Sequence, residues 1–280
     1  MNQSTLKFTK MHGLGNDFMV IDAINQHFIP RPEQIRAWAN RYTGIGFDQL
    51  LIVEPALSEQ ADFKYRIFNA DGGEVSQCGN GARCFARFVH TRKLTELSRI
   101  RVETNAGLLE LELIDASRVR VNMGIPEFEP AGIPLACDQI RNTYALDVDG
   151  QPFEFSALAI GNPHIVIQVK DLDRTEVDSI GAALESHPFF PERVNVGFMQ
   201  RLDDAHFKLR VFERGVGETR ACGSGACAAM VAGNRLGILA SQASAQLTGG
   251  ELKLEWQGAG KPVMMTGETA LVFEGEINYE

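Results

Sequence analysis

Apolar and polar residues alternate along this chain in many short runs. LLELELI (108–114) and RVRVNM (118–123) keep period two, as half-buried strands do. LKFTKM (6–11) and DFMVID (17–22) flank the turn GLGN, and LLIVE (50–54) and DFKYRIFN (62–69) add two more strands. PEQIRAWANR (32–41) carries helical spacing, with Pro32 placed for a first turn. ARCFARFVHTR (82–92) predicts a second helix with Phe85, Phe88 and Val89 on one face. The second half repeats this order. FEFSALAI (153–160) and HIVIQVK (164–170) flank the turn GNP, and VDSIGAALES (177–186) reads as a helix. The strand KLRVFER (208–214) then leads to the helical run ACAAMVAGNRLG (226–237), and ELKLEW, PVMMT and ETALVFE close the chain as short strands.

The repetition extends to single residues. Residues 67–83 align without gaps on 211–227, an offset of 144. Phe68, Gly73, Glu74, Cys78, Gly79, Gly81 and Ala82 match Phe212, Gly217, Glu218, Cys222, Gly223, Gly225 and Ala226. Gly15-Asn16 pairs with Gly161-Asn162 at an offset of 146, and Gly46-Phe47 pairs more weakly with Gly197-Phe198 at 151. A drifting offset means loop insertions in a duplicated unit, and the period is far too long for a solenoid. The run from Ala226 to Ala232 is apolar or small on every side, so that helix is buried all round. The expected fold is therefore α+β, with two similar domains, each a curled, mainly antiparallel sheet or barrel around a central helix. The expected boundaries are 1–122 and 123–267, joined near the loop MGIPEFEP, with the strand 268–280 packing back on the first domain. The helices are too few for an open βαβ sheet.

Composition narrows the function. The chain has 280 residues, 44% hydrophobic and 22% charged, which suits a globular protein with a sizeable core. Its formal net charge of −9 argues against a nucleic-acid groove, which needs clustered Lys and Arg. The N-terminal stretch MNQSTLKFTKMHG has no apolar signal region, and no run reaches the roughly 20 apolar residues of a membrane helix. A cytoplasmic protein with no nucleic-acid or membrane partner is the expectation. Five cysteines in a chain of this size read as reduced thiols.

The candidate chemistry lies in the two stretches SQCGNGARC and RACGSGAC. Each puts a cysteine at a helix start, where unpaired N–H groups and the macrodipole favour a thiolate and should lower the thiol pKa. The glycines let the backbone approach a ligand and leave N–H groups for an anion such as a carboxylate. One such cysteine is most simply a buried structural residue. Two in equivalent places suit inversion at a carbon acid: across a cleft, one sulfur removes a proton and the other returns one to the opposite face. A non-enzymatic amino-acid-binding or dithiol redox protein stays open as an alternative. Cys84, Cys137 and Cys227 lack counterparts and take the structural reading. The C-x5-C and C-x4-C spacings do not suit a zinc site, a redox pair would more often use C-x-x-C, and neither a dinucleotide fingerprint nor a P-loop lysine is present. Asn16 and Asn162 occupy equivalent turns, His164 follows the second of them, and Glu213-Arg214 ends the strand before the second cysteine where Asn69 lies before the first.

HGLGNDF, NADG, CGNGARC, GNPH, VNVGFMQ and ERGVGETRACGSGACAA together resemble the diaminopimelate epimerases, over a span from about residue 6 to the C-terminus. The resemblance implies interconversion of LL- and meso-diaminopimelate, on the route to lysine and peptidoglycan, with no pyridoxal phosphate, no other cofactor and no metal. It implies that Cys78 and Cys222 are the two acid/base thiols. Asn16, Gln49, Asn69, Asn162, Asn195, Glu213 and Arg214 would hold the substrate's amino and carboxylate groups. Gly79-Asn80 and Gly223-Ser224 would bind the α-carboxylate, and His164 and Glu213 would tune the thiols. A homodimer follows from the resemblance alone. Gly73, where the family often has serine, and Arg220, at a variable place, depart from the pattern without touching these positions. A proline racemase-like isomerase of the same architecture is the nearer alternative; Asn195, Glu213 and Arg214 discriminate, because a proline-type substrate has no distal amino and carboxylate groups.

Overall fold

A computed structural model describes residues 4–76, 78–148 and 150–279. The first run of elements is β1 (Ser4–Gly13), β2 (Asn16–Asp22), α1 (Pro32–Ala39), β3 (Gln49–Pro55), β4 (Phe63–Asn69), β5 (Glu74–Val75), α2 (Gly79–Thr91), β6 (Arg99–Thr104), β7 (Gly107–Leu113) and β8 (Arg118–Asn122). The second run is β9 (Tyr144–Val148), β10 (Gln151–Ala159), β11 (Pro163–Gln168), α3 (Val177–Glu185), β12 (Asn195–Arg201), β13 (His206–Glu213), β14 (Gly217–Thr219), α4 (Gly223–Arg235), β15 (Gln242–Leu247), β16 (Gly250–Trp256) and β17 (Val263–Glu268), followed by a last strand, β18 (Ala270–Tyr279). The architecture is α+β. The chain divides into two compact units: residues 1–121 with 267–280, and residues 122–266.

In the first unit β18 pairs with β1, and β1 with β2, both antiparallel. The β1–β2 hairpin turns on Leu14 and Gly15, both with positive φ (57° and 84°), which matches the right-handed twist of the two strands. Helix α1 then carries the chain over so that β3 lies parallel to β2, and α2 does the same between β4 and β6. The remaining pairings are antiparallel. A two-faced sheet explains why LLIVE is apolar at every step rather than alternating. Leu50 and Ile52 pack with Ile35 and Trp38 of α1, whereas Leu51 reaches Gly81 of α2. Helix α2 touches β1, β2, β3 and β7, so the sheet curls around it.

The second unit repeats the pattern. β9–β10–β11 is antiparallel, α3 crosses to a parallel β11–β12 pair, β12–β13 is antiparallel, and α4 crosses to a parallel β13–β15 pair. Helix α4 is buried from Gly225 to Gly233 and touches β10, β11, β12, β13, β15 and β16. Each sheet is thus mainly antiparallel, and each also holds two parallel crossovers. The duplication is exact in register: Phe18 pairs with Gln49 where His164 pairs with Asn195. Helices α2 and α4 are both 13 residues long.

Candidate active site

Cys78 and Cys222 are the N-cap residues of the two central helices, both with extended backbone (φ −145° and −113°). Cys78 is half-buried, and Cys222 is 4% exposed. Cys84 and Cys227 are buried inside the helices and Cys137 is half-buried; among the described residues no disulfide forms.

Around Cys78 the first unit gathers Asn16 and Asn80. Asn16 Oδ1 lies 3.7 Å from Cys78 Sγ and accepts from Asn80 Nδ2 at 3.3 Å. Gln49 donates to Asn69 Oδ1 at 2.8 Å, joining the facing ends of β3 and β4. Gln49 Oε1 is buried with no hydrogen-bond partner among the described residues, so it is a ready acceptor. Gly79 is the first residue of α2, beside the orphan N–H groups of the helix start.

The second unit links its candidates into one continuous group. The Cys222 thiol lies 3.6 Å from Ser224 Oγ, accepts from Gly225 N–H at 3.4 Å and hydrogen-bonds Glu213. Thr219 donates its hydroxyl to Glu213 Oε1. The next residue, Arg214, donates its backbone N–H to Asn195 Oδ1 at 3.0 Å, and Asn195 Nδ2 donates to the Pro163 carbonyl at 2.7 Å. His164 follows, with Nε2 2.9 Å from Asn162 Oδ1. The Arg214 side chain is exposed and donates to the Glu192 carbonyl. Gly223 opens α4.

The electrostatics correct one expectation. A helix start alone lowers a thiol pKa, yet Cys222 is pushed well above the ordinary thiol range. Burial is the main cause, the Glu213 carboxylate adds to it, and the Ser224 hydroxyl and the Gly225 N–H only partly offset them. Burial also raises Glu213, against hydrogen bonds from Thr219 and Cys222. Cys222 and Glu213 therefore form a pair that holds a proton between them.

Burial, and then the charge of Arg214, push His164 down to about 3. Its ring is neutral, with Nε2–H turned to Asn162, and its buried Nδ1 has no partner among the described residues. The unfolded chain takes up this proton near pH 6.5 and the folded chain does not, so stability is lost as pH falls below about 6.5. The expected loss from this group between about pH 6.5 and about pH 5 is about 1.5 kcal/mol. Glu213 works in the opposite sense, since its raised pKa favours the fold as pH falls. Urea titrations of wild type and His164→Phe, the residue type found at the matching Phe18, check this. The variant should show the flatter pH dependence; equal slopes would contradict it.

Arg83 and Asp48 had no place in the sequence-based site. Arg83 is fully buried, donates to Asn80 Oδ1 at 2.8 Å and reaches the Gly79 carbonyl at 3.4 Å. Its signal is the i, i+3 spacing from Asn80 on one helix face. Asp48 accepts from Asn16 Nδ2 at 3.0 Å. The inner glycines also have a packing task. A Cβ on Gly81 would lie 2.3 Å from Tyr65 Oη, and one on Gly225 would lie 2.9 Å from Val211 Cγ2. These two glycines admit the helix to its own core.

The diaminopimelate epimerase family profile matches residues 8–129 and 156–272. The diaminopimelate epimerase of Ectopseudomonas mendocina is 56% identical over 272 residues, covering 97% of this chain and 99% of that one. That of Nitrosomonas europaea is 56% identical over 273 residues, covering 98% and 99%. The chain belongs to the diaminopimelate epimerase family. It is an isomerase. Solved structures widen the fold group around this epimerase. A hydroxyproline epimerase from Agrobacterium vitis superposes with a TM-score of 0.72 at 16% identity, covering 98% of this chain and 92% of that one. A PhzF-family protein from Bacillus anthracis gives 0.68 at 16% identity, covering 99% and 100%. At that identity they share the fold, whereas the family match separates this epimerase from a proline racemase-like reading. Among the described residues no helix is long and apolar enough to cross a membrane.

Proposed function

We propose that this epimerase interconverts LL- and meso-diaminopimelate with Cys78 and Cys222 as an acid–base pair on one stereocentre. One sulfur, as thiolate, takes the Cα proton; the other, as thiol, delivers a proton to the opposite face. Turnover leaves the two protonation states exchanged, and the reverse direction uses them in swapped roles. The observation that carries the proposal is the matched placement of the two thiols. Each caps the start of a central helix, in equivalent positions of two units. Every proton transfer is assigned to side chains of this chain.

The Cα proton of an amino acid is weakly acidic, so fixed donors must stabilise the charge that spreads onto the carboxylate. The N–H groups at Gly79-Asn80 and Gly223-Ser224 are assigned that task, with the helix starts behind them. Asn16, Gln49, Asn69, Asn162, Asn195, Glu213 and Arg214 are assigned to the amino and carboxylate groups of the substrate. Their mixture of amides, one acid and one arginine suits a substrate that is zwitterionic at both ends. His164, as a neutral acceptor, and Glu213, as the proton partner of Cys222, are assigned to tuning the thiols. The working form is proposed to be a cytoplasmic homodimer.

Solvent deuterium entering the Cα of LL- and meso-diaminopimelate tests the reading. The reduced protein alone, with no added cofactor, should exchange and invert both isomers. Binding without exchange would favour the amino-acid-binding alternative and refute the proposal.

A further inference from the structure

Asn16 has both ends of its amide held. A carboxylate only accepts, so the end that meets Asp48 Oδ2 at 3.0 Å is the NH2. The carbonyl end then faces Cys78 Sγ at 3.7 Å and Asn80 Nδ2 at 3.3 Å. Asn80 gives the same answer from the other side. Arg83 only donates and meets Asn80 Oδ1 at 2.8 Å, so the Asn80 NH2 is the end turned to Asn16. Two separate donor–acceptor chains thus fix the Asn16 oxygen toward the sulfur. Asp48 is itself anchored: Arg41 Nη2 meets Oδ1 at 2.6 Å, and the Asp17 N–H meets Oδ2 at 3.1 Å. Asp17 completes the cluster by accepting from Arg41 and from Lys10. Burial alone would raise the Asp17 carboxyl, but hydrogen bonds from Arg41 and Lys10 hold it far below the carboxylate range, so Asp17 stays charged.

We propose that Asp48 is a positioning residue for Cys78: by claiming the Asn16 amide nitrogen, it presents the thiol with a carbonyl oxygen and holds it in the proton-donating form. The inference rests on the reading of Cys78 as a reacting thiol. An oxygen acceptor stabilises S–H and not S⁻; the same amide turned over would donate to the thiolate and favour the opposite state. Among the described residues, titratable groups near Cys78 include Tyr65 of β4 and Cys84 of α2, with Arg83 of α2 on the Gly79 carbonyl. Near Asn16 they are Lys10, Asp17, Arg41 and Asp48, with His12 Nδ1 3.5 Å from the Gly15 N–H. Asp48 is the acceptor that holds the Asn16 nitrogen, and Asn80 adds a donor on the oxygen, so the two contacts together set which end of the Asn16 amide the sulfur sees.

The test is the iodoacetamide rate at Cys78 in the reduced full-length protein, read by peptide mass across pH. Asp48→Asn lets the amide turn. A tenfold gain in thiolate fraction, less the accompanying loss of nucleophilicity, makes modification about fourfold faster at neutral pH and moves its profile to lower pH. Asp48→Glu, which keeps an acceptor-only group, should return toward the wild-type rate. The kcat/KM of Asp48→Asn should fall by one factor in both directions, because the equilibrium belongs to the substrates. Asn16→Ala removes the acceptor and should itself speed modification; adding Asp48→Asn to it should change nothing more. A wild-type rate in Asp48→Asn or in Asn16→Ala overturns the proposal, as does an undiminished Asp48→Asn effect in the Asn16→Ala background, which would mean action through charge alone. If Asp48→Asn does not fold, the Asn16→Ala rate decides. Failure of the underlying reading looks different: Cys78→Ala would still epimerise while the alkylation rates shift as described.

Discussion

Cys78→Ala and Cys222→Ala should each lower stereoinversion roughly 10³-fold or more, since each removes one of two obligatory proton carriers. The pair of variants carries more information than either alone. A variant with one thiol left can still lift a proton from the face that thiol addresses and return deuterium to the same face. Exchange without inversion should therefore survive at a reduced rate on one isomer in Cys78→Ala and on the other isomer in Cys222→Ala. Nuclear magnetic resonance of the Cα position in heavy water, with LL- and meso-substrate separately, reads both quantities. Normal inversion by either variant would end the two-thiol reading. Exchange of the same isomer in both variants would mean that the thiols do not address opposite faces. Because Glu213 shares the Cys222 proton and can take it up when that sulfur acts as the base, Glu213→Gln should also depress turnover, but less than loss of the sulfur.

The duplication, both N-cap cysteines and the buried α4 helix were legible because local residue order encodes them. CGNGA and CGSGA announce helix starts, and the run from Ala226 to Ala232 has no polar face to expose. What stayed hidden depends on partners distant in sequence. The Cys222 pKa follows from desolvation and from Glu213, nine positions upstream, so a rule built on the helix start alone gave the wrong sign. The Asp48–Asn16 contact spans 32 residues, and nothing in GFDQ marks its aspartate as the holder of a turn asparagine. Arg83 sat inside the quoted motif without a role, because a fully buried arginine is rare enough that a solvated one is the ordinary reading. The two parallel crossovers in each unit were missed for a similar reason. A helix between two strands fixes neither their order nor their direction.

The inner glycine of the first cysteine motif makes a prediction about the whole N-terminal turn of α2. Tyr65 is 2% exposed, and its hydroxyl has no hydrogen-bond partner among the described residues. It stands 2.3 Å from where a Gly81 Cβ would be, so Gly81→Ala cannot be accommodated unless the helix start or the ring moves. The overpacking costs about 3 kcal/mol, and the better helix propensity of alanine returns about 1 kcal/mol, for a net loss of about 2 kcal/mol. Cys78 caps this helix, and a shift approaching 1 Å at a reacting group costs about 10²-fold in turnover. Tyr65→Phe should be neutral or stabilising, because it removes a buried hydroxyl with no partner among the described residues and keeps the edge-on packing on Phe85 at 5.1 Å between ring centroids. In that background Gly81→Ala should lose most of its penalty and recover most of its activity. Denaturant midpoints and kcat for the four combinations form one double-mutant cycle. Additive effects would mean that Gly81 is kept for the ligand and not for Tyr65. A strong rescue would mean that this glycine exists to let the helix start sit on the tyrosine, with the neighbouring Gly79 left to the substrate.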